Sequence, residues 1–227
     1  MASRSSSRSP AKKTPRASQK KIVRHPNIYL YIPNLIGYTR ILLTMWAVYN
    51  AFISWETFVV CYSVGAILDL FDGMAARRFN QSTKFGAVLD MVTDRVGTNM
   101  LYIVLAAMLP KYFFYIALLA GGDYASHWAQ MYSSAIGGSH HKSLNADRNW
   151  LLRFYYSNKP FMFLNCVGQE AFLIAMYVFV SAGSGHPMTQ IAYYVMVGAG
   201  PFGALKQLIN VVQLIDAMKQ IARKDVE

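Results

Sequence analysis

The chain has 227 residues, of which 54% are hydrophobic and 15% are charged, and its formal net charge is +11. Soluble domains usually carry about 25% charged residues, so this composition excludes an ordinary soluble enzyme and predicts a membrane protein with several spans. The two cysteines, Cys61 and Cys166, lie in apolar segments and give neither a disulfide framework nor a metal-binding spacing.

The chain begins with a basic tail. Residues 1–26 hold eight of the 22 Lys and Arg and few apolar residues, which predicts a disordered cytosolic segment. Its positive charges either lie against anionic lipid headgroups or only keep the tail soluble on the cytosolic side.

Six apolar stretches of spanning length follow the tail. They cover residues 28–53, 55–77, 84–109, 111–136, 160–182 and 187–218. We therefore predict an all-α integral membrane bundle of six transmembrane helices over residues 27–218. A short C-terminal tail, residues 219–227, completes the chain.

The basic residues predict the orientation of the bundle. If the chain starts in the cytosol and crosses six times, every Lys and Arg falls on the cytosolic side except Arg40, Arg95, Lys111 and Lys206. Lys111 alone falls on the opposite side, and the other three lie within spans. Because cytosolic loops carry an excess of Lys and Arg, we expect both termini to be cytosolic.

Four aspartates lie around the loop between the second and third spans. Asp69 and Asp72 share one helical face, and so do Asp90 and Asp94. The connection at residues 78–83 is short, so the two acidic faces should meet at the cytosolic end. Clustered carboxylates need a compensating cation, and oxygen ligands suit Mg²⁺ or Mn²⁺. The pattern predicts a pair of ions that holds a phosphoryl group.

Three other interpretations of the aspartates remain open. They could form structural ion pairs with Arg77, Arg78 and Arg95. They could line the path of a cation carrier, although a carrier would distribute acidic residues through the membrane depth. A membrane prenyltransferase also holds a diphosphate with aspartates, but it normally needs two Asp-rich motifs and more spans.

Eight residues around this loop follow the spacing Asp69-x₂-Asp72-Gly73-x₂-Ala76-Arg77-x₈-Gly86-x₃-Asp90-x₃-Asp94. At every position this spacing resembles the signature of the CDP-alcohol phosphatidyltransferases. The resemblance implies a six-helix membrane fold, usually homodimeric, that joins a CDP-activated lipid to an alcohol and releases CMP.

The resemblance also implies roles for the acidic residues. Asp69, Asp72 and Asp90 would be metal ligands. Asp94 would be a further ligand and the catalytic general base that takes a proton from the acceptor alcohol.

A second group of residues is predicted to bind CDP-diacylglycerol. By the resemblance, Gly73 and Arg77 would contact the nucleotide and its diphosphate. Asn34 and Thr83 are candidate cytidine and phosphate contacts, and both also fit the role of helix-end residues.

Four stretches that extend beyond the signature resemble the branch of the family that makes phosphatidylinositol in eukaryotes. They are residues 32–40, 85–95, 123–128 and 152–156. The resemblance implies that myo-inositol is the acceptor. A phosphorylated acceptor would need several basic residues in the spans, whereas this chain offers mainly carboxylates and amides there.

The predicted inositol contacts are Asp123, Gln169 and Glu170. Asp123 lies one helical turn from His127, so these two side chains could instead satisfy each other. Serine, glycerol 3-phosphate, or diacylglycerol with CDP-choline or CDP-ethanolamine remain alternative substrates within the family.

The expected partners are CDP-diacylglycerol and myo-inositol as substrates, membrane lipid, and a second copy of the chain in a homodimer. We expect no nucleic-acid partner. The resemblance places the protein in the endoplasmic reticulum membrane, with its active site facing the cytosol.

Overall fold

The computed structural model describes residues 27–136 and 149–226, and within these ranges the chain is helical without strands. The predicted all-α fold class is confirmed. The α-helices of the described residues are α1 (Ile32–Asn50), α2 (Trp55–Arg78), α3 (Lys84–Met108), α4 (Phe113–Ile136), α5 (Trp150–Ser157), α6 (Lys159–Ser181) and α7 (Pro187–Lys224). Short 3₁₀ helices, Ile28–Leu30 and Pro110–Tyr112, precede α1 and α4. The predicted disordered tail, residues 1–26, lies outside the described residues.

Each of the six predicted apolar segments contains one long helix. α1 begins four residues later than the predicted segment at residue 28, and α7 continues to Lys224, into the predicted C-terminal tail. α5 was not predicted, because eight residues are too few to give the length signal of a span.

The surface and the length of the helices are those of a multi-pass membrane protein. α2, α6 and α7 are each long and apolar enough to cross a membrane. α3 and α4 satisfy the same test together, as a pair bent by 115° at the break before Pro110. Large apolar side chains such as Leu42, Phe114 and Tyr194 point outward, where lipid would cover them.

The turn between α2 and α3 is closed by local hydrogen bonds. Asn80 adopts a left-handed conformation with φ of 52°, which Asn tolerates better than most residues. Thr83 caps α3 by accepting a hydrogen bond from the Gly86 N–H at 2.9 Å. Gln81 accepts one from the Ile32 N–H at 3.0 Å, so the turn is attached to the start of α1.

The apolar core lies away from this turn. Phe58, Leu101, Leu105 and Tyr177 are fully buried there, and the rings of Phe58 and Tyr177 lie 4.0 Å apart. The Tyr177 hydroxyl donates to the Ala51 carbonyl at 2.8 Å, which satisfies its polar end.

Helix α6 packs along α7 at very short range. Gly168 makes this approach possible, because a Cβ atom at this position would lie 2.5 Å from Cβ of Phe202. α1 packs along α2, α4 packs against α7, and α3 contacts α1, α4 and α6. The central position of α3 brings its polar residues into contact with three other helices.

Candidate active site

The four aspartates of the predicted cluster come together at the ends of α2 and α3. Asp69 and Asp72 lie in the last turns of α2, and Asp90 and Asp94 lie in the first turns of α3. One ligand oxygen from each of Asp69, Asp72 and Asp90 lies within 4.8 Å of the other two. The short turn and the helical spacing therefore place these carboxylates as the sequence predicts.

The guanidinium group of Arg40 lies in the middle of this cluster. Its Nη1 atom is 2.8 Å from Asp69, 2.7 Å from Asp72 and 3.2 Å from Asp90. Its Nη2 atom contacts Asp94. Only 5% of the Arg40 side chain is exposed, so the cation is buried against all four carboxylates.

Arg40 is a site residue to which the sequence pattern assigns no role. It was placed in the first span, and the signal was present there, because a charge within a span usually has a partner. It also lies two turns after Pro33, on the face that carries Gly37, and this face meets the cluster.

The donor groups of the cluster suit a hard divalent cation. All are carboxylate oxygens, which Mg²⁺ and Mn²⁺ prefer. Arg40 supplies one positive charge to four carboxyl groups, so the oxygen ligands outnumber the cation that they contact. The side chains of Asp69 and Asp90 are 38% and 49% exposed, which leaves a route from solvent. This acidic cluster could therefore hold a metal ion.

A cavity of about 310 Å³ opens beside the cluster. This volume lies at the lower end of the ~300–1,000 Å³ range of small-molecule sites. Asp72 and Asp90 form the wall that it shares with the cluster. The cavity is also lined by all four predicted CDP-diacylglycerol contacts, which are Asn34, Gly73, Arg77 and Thr83.

Two glycines of the signature leave space in the cavity wall that a larger residue would fill. A Cβ atom at Gly86 would lie 3.0 Å from Oδ1 of Asn34 and 3.2 Å from Oγ1 of Thr83, closer than ordinary contact. A Cβ atom at Gly73 would lie 3.5 Å from a guanidinium nitrogen of Arg77, so Gly73 leaves the space beside that cation free.

Asn34 and Thr83 have structural roles as well as a place in the cavity wall. Thr83 is the N-cap of α3. Asn34 is buried, and its side-chain amide donates to the Ile28 carbonyl at 2.7 Å. The helix-end interpretation therefore describes what both residues do in the fold, and both remain candidates for the nucleotide site.

An open apolar groove of about 800 Å³ runs next to the cavity. Arg77 lines both spaces. The other groove residues are Ile32, Ile36, Phe71, Met74, Ala75, Arg78 and Phe79. The cavity, which several polar side chains line, and the apolar groove thus meet at Arg77.

Asp123, the first predicted acceptor contact, is fully buried on α4. Its carboxylate oxygens lie 3.2 and 3.3 Å from Nη1 of Arg95, and the Asn210 side-chain amide donates to it at 2.9 Å. His127 lies closest to the main-chain carbonyl of Asp123, at 2.8 Å, and its ring nitrogen is 3.8 Å from the carboxylate. Arg95 and Asn210, rather than His127, are therefore the near partners of this carboxylate.

The other two predicted acceptor contacts, Gln169 and Glu170, lie on α6 and face α3. Glu170 accepts hydrogen bonds from Thr98 at 2.7 Å and Tyr62 at 2.9 Å. Gln169 donates to the Tyr102 hydroxyl at 3.2 Å. Thr98 and Tyr102 follow Asp94 by one and two turns, so a polar strip continues from the cluster along α3.

Lys206 is a second buried cation near this strip. It donates to the Tyr155 hydroxyl at 3.3 Å, and its ammonium group lies 5.4 Å from the centre of the same ring. Burial raises the pKa of the Tyr155 phenol above its ordinary value, so the hydroxyl stays protonated. The short helix α5 therefore provides, through the Tyr155 hydroxyl, a hydrogen-bond acceptor for the buried ammonium group of Lys206.

The family model of the CDP-alcohol phosphatidyltransferases matches residues 30–213. The chain belongs to this family. The match covers most of the chain and includes the whole signature, so the predicted resemblance is confirmed.

Curated relatives of the chain carry the name CDP-diacylglycerol–inositol 3-phosphatidyltransferase. The Schizosaccharomyces pombe protein is 39% identical, with 90% of this chain and 94% of the relative covered. The Candida albicans protein is 36% identical, covering 98% and 95%, and the Homo sapiens protein is 38% identical, covering 88% and 94%. No solved structure matches the chain.

Proposed function

We propose that this chain transfers the phosphatidyl group of CDP-diacylglycerol to myo-inositol and releases CMP. The observation that carries the proposal is the cavity in which the four predicted donor contacts meet the carboxylates of Asp72 and Asp90. The choice of inositol is supported by the names of the relatives, which match nearly the full length of the chain.

The two adjoining spaces fit the two halves of the donor lipid. The cytidine diphosphate would lie in the cavity, with Arg77 beside the diphosphate, since guanidinium groups pair well with phosphate oxygens. The acyl chains would lie along the apolar groove that includes Phe71 and Met74. Gly73 and Gly86 would let the nucleotide approach the helix backbones.

The reaction would take place at the cluster. Asp69, Asp72, Asp90 and Asp94 would hold Mg²⁺ or Mn²⁺, whose charge stabilises the diphosphate and the departing CMP. Asp94 would accept the proton of an inositol hydroxyl as this hydroxyl attacks the phosphorus bonded to the diacylglycerol. Arg95, whose Nη2 lies 3.8 Å from Asp94, would place a second positive charge beside that carboxylate.

The polar strip behind Asp94 is the proposed acceptor side. Glu170 and Gln169 are reached from Asp94 through Thr98 and Tyr102. Asp123 is fully buried and already accepts hydrogen bonds from Arg95 and Asn210, so an inositol hydroxyl could reach it only if these neighbours moved.

The charge of this region favours a neutral acceptor. Its buried cations among the described residues, Arg95 and Lys206, are engaged by Asp123 and Tyr155 respectively. An acceptor that carries a phosphate dianion would have to compete for them.

We extend the proposal to the arrangement in the membrane, namely six spans with both termini and the active site on the cytosolic side. The cluster supports this orientation, because α2 ends beside it with Arg77 and Arg78 and α3 begins there with Lys84. Residence in the endoplasmic reticulum and assembly as a homodimer follow from the properties that the family resemblance implies.

The test is a reaction of the purified full chain in detergent with CDP-diacylglycerol and Mg²⁺ or Mn²⁺. Inositol, serine and glycerol 3-phosphate are supplied separately, and CMP and the lipid product are measured. We expect a lipid product, phosphatidylinositol, only when inositol is the acceptor. Asp94→Ala should lose this activity. Asp225→Ala, a matched control at an exposed position, should keep it. CMP release with another alcohol would exclude inositol, and folded protein that releases no CMP would exclude the reaction.

A further inference from the structure

Arg40 and a metal ion would compete for the same carboxylates. Nη1 of Arg40 lies 2.7–3.2 Å from Asp69, Asp72 and Asp90, the three residues whose oxygens are spaced to hold an ion. A bound Mg²⁺ requires its oxygens at about 2.1 Å and admits no guanidinium nitrogen among them. One of the two cations must leave when the other occupies the centre of the cluster.

We propose that Arg40 is a tethered counter-cation that fills the carboxylate cluster of the metal-free protein and withdraws when a divalent ion enters. The proposal rests on the metal centre of the proposed function. It adds a role for one residue of the chain. Arg40 would oppose metal binding, and in the metal-free protein it would reduce the repulsion between the carboxylates.

The electrostatics explain why such a residue is useful. Four carboxylates at the ends of two packed helices repel one another unless a cation lies between them. Arg40 contacts all four at once, because a guanidinium group offers several donors in one plane. Arg40 brings one positive charge to the four carboxyl groups, whereas a divalent ion would bring two.

The polar contacts of Arg40 show that the cluster itself holds the side chain in place. Its Nε is buried and, among the residues that the structure describes, has no hydrogen-bond partner. The hydrogen bonds and ion pairs of its guanidinium end in carboxylates of the cluster. Once these carboxylates coordinate a metal ion instead, few polar contacts remain to hold the guanidinium group in the cluster.

The neighbouring cavity offers space for the withdrawn group. Gly37, one turn before Arg40, lines that cavity together with Asp72 and Asp90. Helical side chains lean toward the N-terminus of their helix, which is the direction from Arg40 to Gly37. A guanidinium group moved this way would enter the space assigned to the donor diphosphate, where its charge is favourable.

The first test measures metal affinity without any reaction. The full chain and Arg40→Met are purified in detergent, stripped with a chelator, and titrated with Mn²⁺ while free Mn²⁺ is followed by electron paramagnetic resonance. Loss of a competing cation should lower the Kd for Mn²⁺ about tenfold, within the usual range of coupling between two ligands. Arg78→Met, which removes an exposed cation from the same end of α2, should change the Kd far less.

The second test measures thermal unfolding of the same proteins with and without saturating Mn²⁺. We expect Arg40→Met to lose more stability in the metal-free state than in the Mn²⁺-bound state. Arg40→Lys keeps the charge but cannot contact both groups of carboxylates at once. It should lie between the wild type and Arg40→Met in both measurements, and it decides the question if Arg40→Met does not fold.

Two other results have distinct meanings. If Arg40 only orients the metal ligands, its loss would weaken Mn²⁺ binding, by about 10–100-fold for a typical supporting residue, and would lower stability equally in both states. That result overturns the counter-cation proposal and leaves the metal centre intact. If the wild-type chain and the variants bind no Mn²⁺, the metal centre itself is wrong and the counter-cation proposal fails with it.

Discussion

Arg95 and Asp123 form a buried ion pair between α3 and α4, with Nη1 of Arg95 3.2 Å from Oδ2 of Asp123. The same guanidinium reaches toward Asp94, 3.8 Å from its Nη2 atom. The carboxylate that the sequence assigns to the acceptor alcohol is thus connected, through one cation, to the carboxylate assigned to proton transfer. Changes on either side of this pair should affect both stability and reaction.

The first prediction concerns this pair. Asp123→Asn should destabilise the protein by about 3–5 kcal/mol, because it leaves the Arg95 charge buried without its partner. The double variant Arg95→Gln with Asp123→Asn should recover part of this loss. The measurement is a double-mutant cycle that compares the free energies of unfolding of the wild type, the two single variants and the double variant in detergent solution. Strictly additive effects of the two substitutions would mean that the pair contributes no interaction energy.

The same variants separate a structural role from acceptor binding. If Asp123 also contacts inositol, the KM for inositol in Asp123→Asn should rise while the KM for CDP-diacylglycerol stays near its wild-type value. Equal changes in both constants would indicate that Asp123 acts only through the fold.

The second prediction concerns Gly86. A Cβ atom there would press on Asn34 and on Thr83, the cap of α3, and would narrow the donor cavity. We expect Gly86→Ala to raise the KM for CDP-diacylglycerol about tenfold with a smaller effect on kcat, as for a loss of ground-state binding. Gly198→Ala is the control, since a Cβ atom at Gly198 meets nothing within 4 Å. Equal kinetics in the two variants would argue that the donor does not use this wall.

The third prediction concerns the packing of α6 on α7. Gly168→Ala places a methyl group 2.5 Å from Cβ of Phe202, so the helices must separate. Overpacking of this kind costs about 1–3 kcal/mol, which thermal unfolding would detect. The loss of stability caused by Gly168→Ala should be smaller in a Phe202→Gly background, because glycine lacks the Cβ atom that the new methyl group meets. If Gly168→Ala is as stable as the wild type, the two helices are not held at this distance.

The fourth prediction concerns removal of the metal. Chelation should abolish CMP release, and added Mg²⁺ or Mn²⁺ should restore it. Asp90→Asn should need a higher ion concentration for half-maximal activity, because one anionic ligand is lost. Asp225→Asn, at the exposed C-terminal end, should need the same concentration as the wild type. Activity that persists after complete chelation would separate the aspartates from metal binding.

The sequence predicts the acidic cluster well because its geometry is local. Helical spacing places Asp69 with Asp72 and Asp90 with Asp94, and a turn too short to separate the helices brings the two pairs together. Little more than backbone periodicity is needed for this result, and the structure has the same arrangement.

The partners of the site are long-range, and the sequence does not predict them. Arg40 reaches Asp94 across 54 residues, and Asn210 reaches Asp123 across 87. Which helix lies beside which depends on the packing of whole helix faces, such as the close contact at Gly168. The spacing of residues along the chain carries no information about that choice, so Arg40 appeared only as an unassigned charge within a span.

The shared position of Arg77 has a further consequence for the reaction as proposed. In that reaction, Arg77 would lie at the boundary between water, which reaches the nucleotide, and the hydrocarbon that surrounds the fatty acids. The reaction would change only the bonds of the phosphorus attached to diacylglycerol, which exchanges CMP for the alcohol at this boundary. The fatty acids of the lipid would then stay in the bilayer throughout turnover. CMP and the alcohol would exchange with water without entering the hydrocarbon.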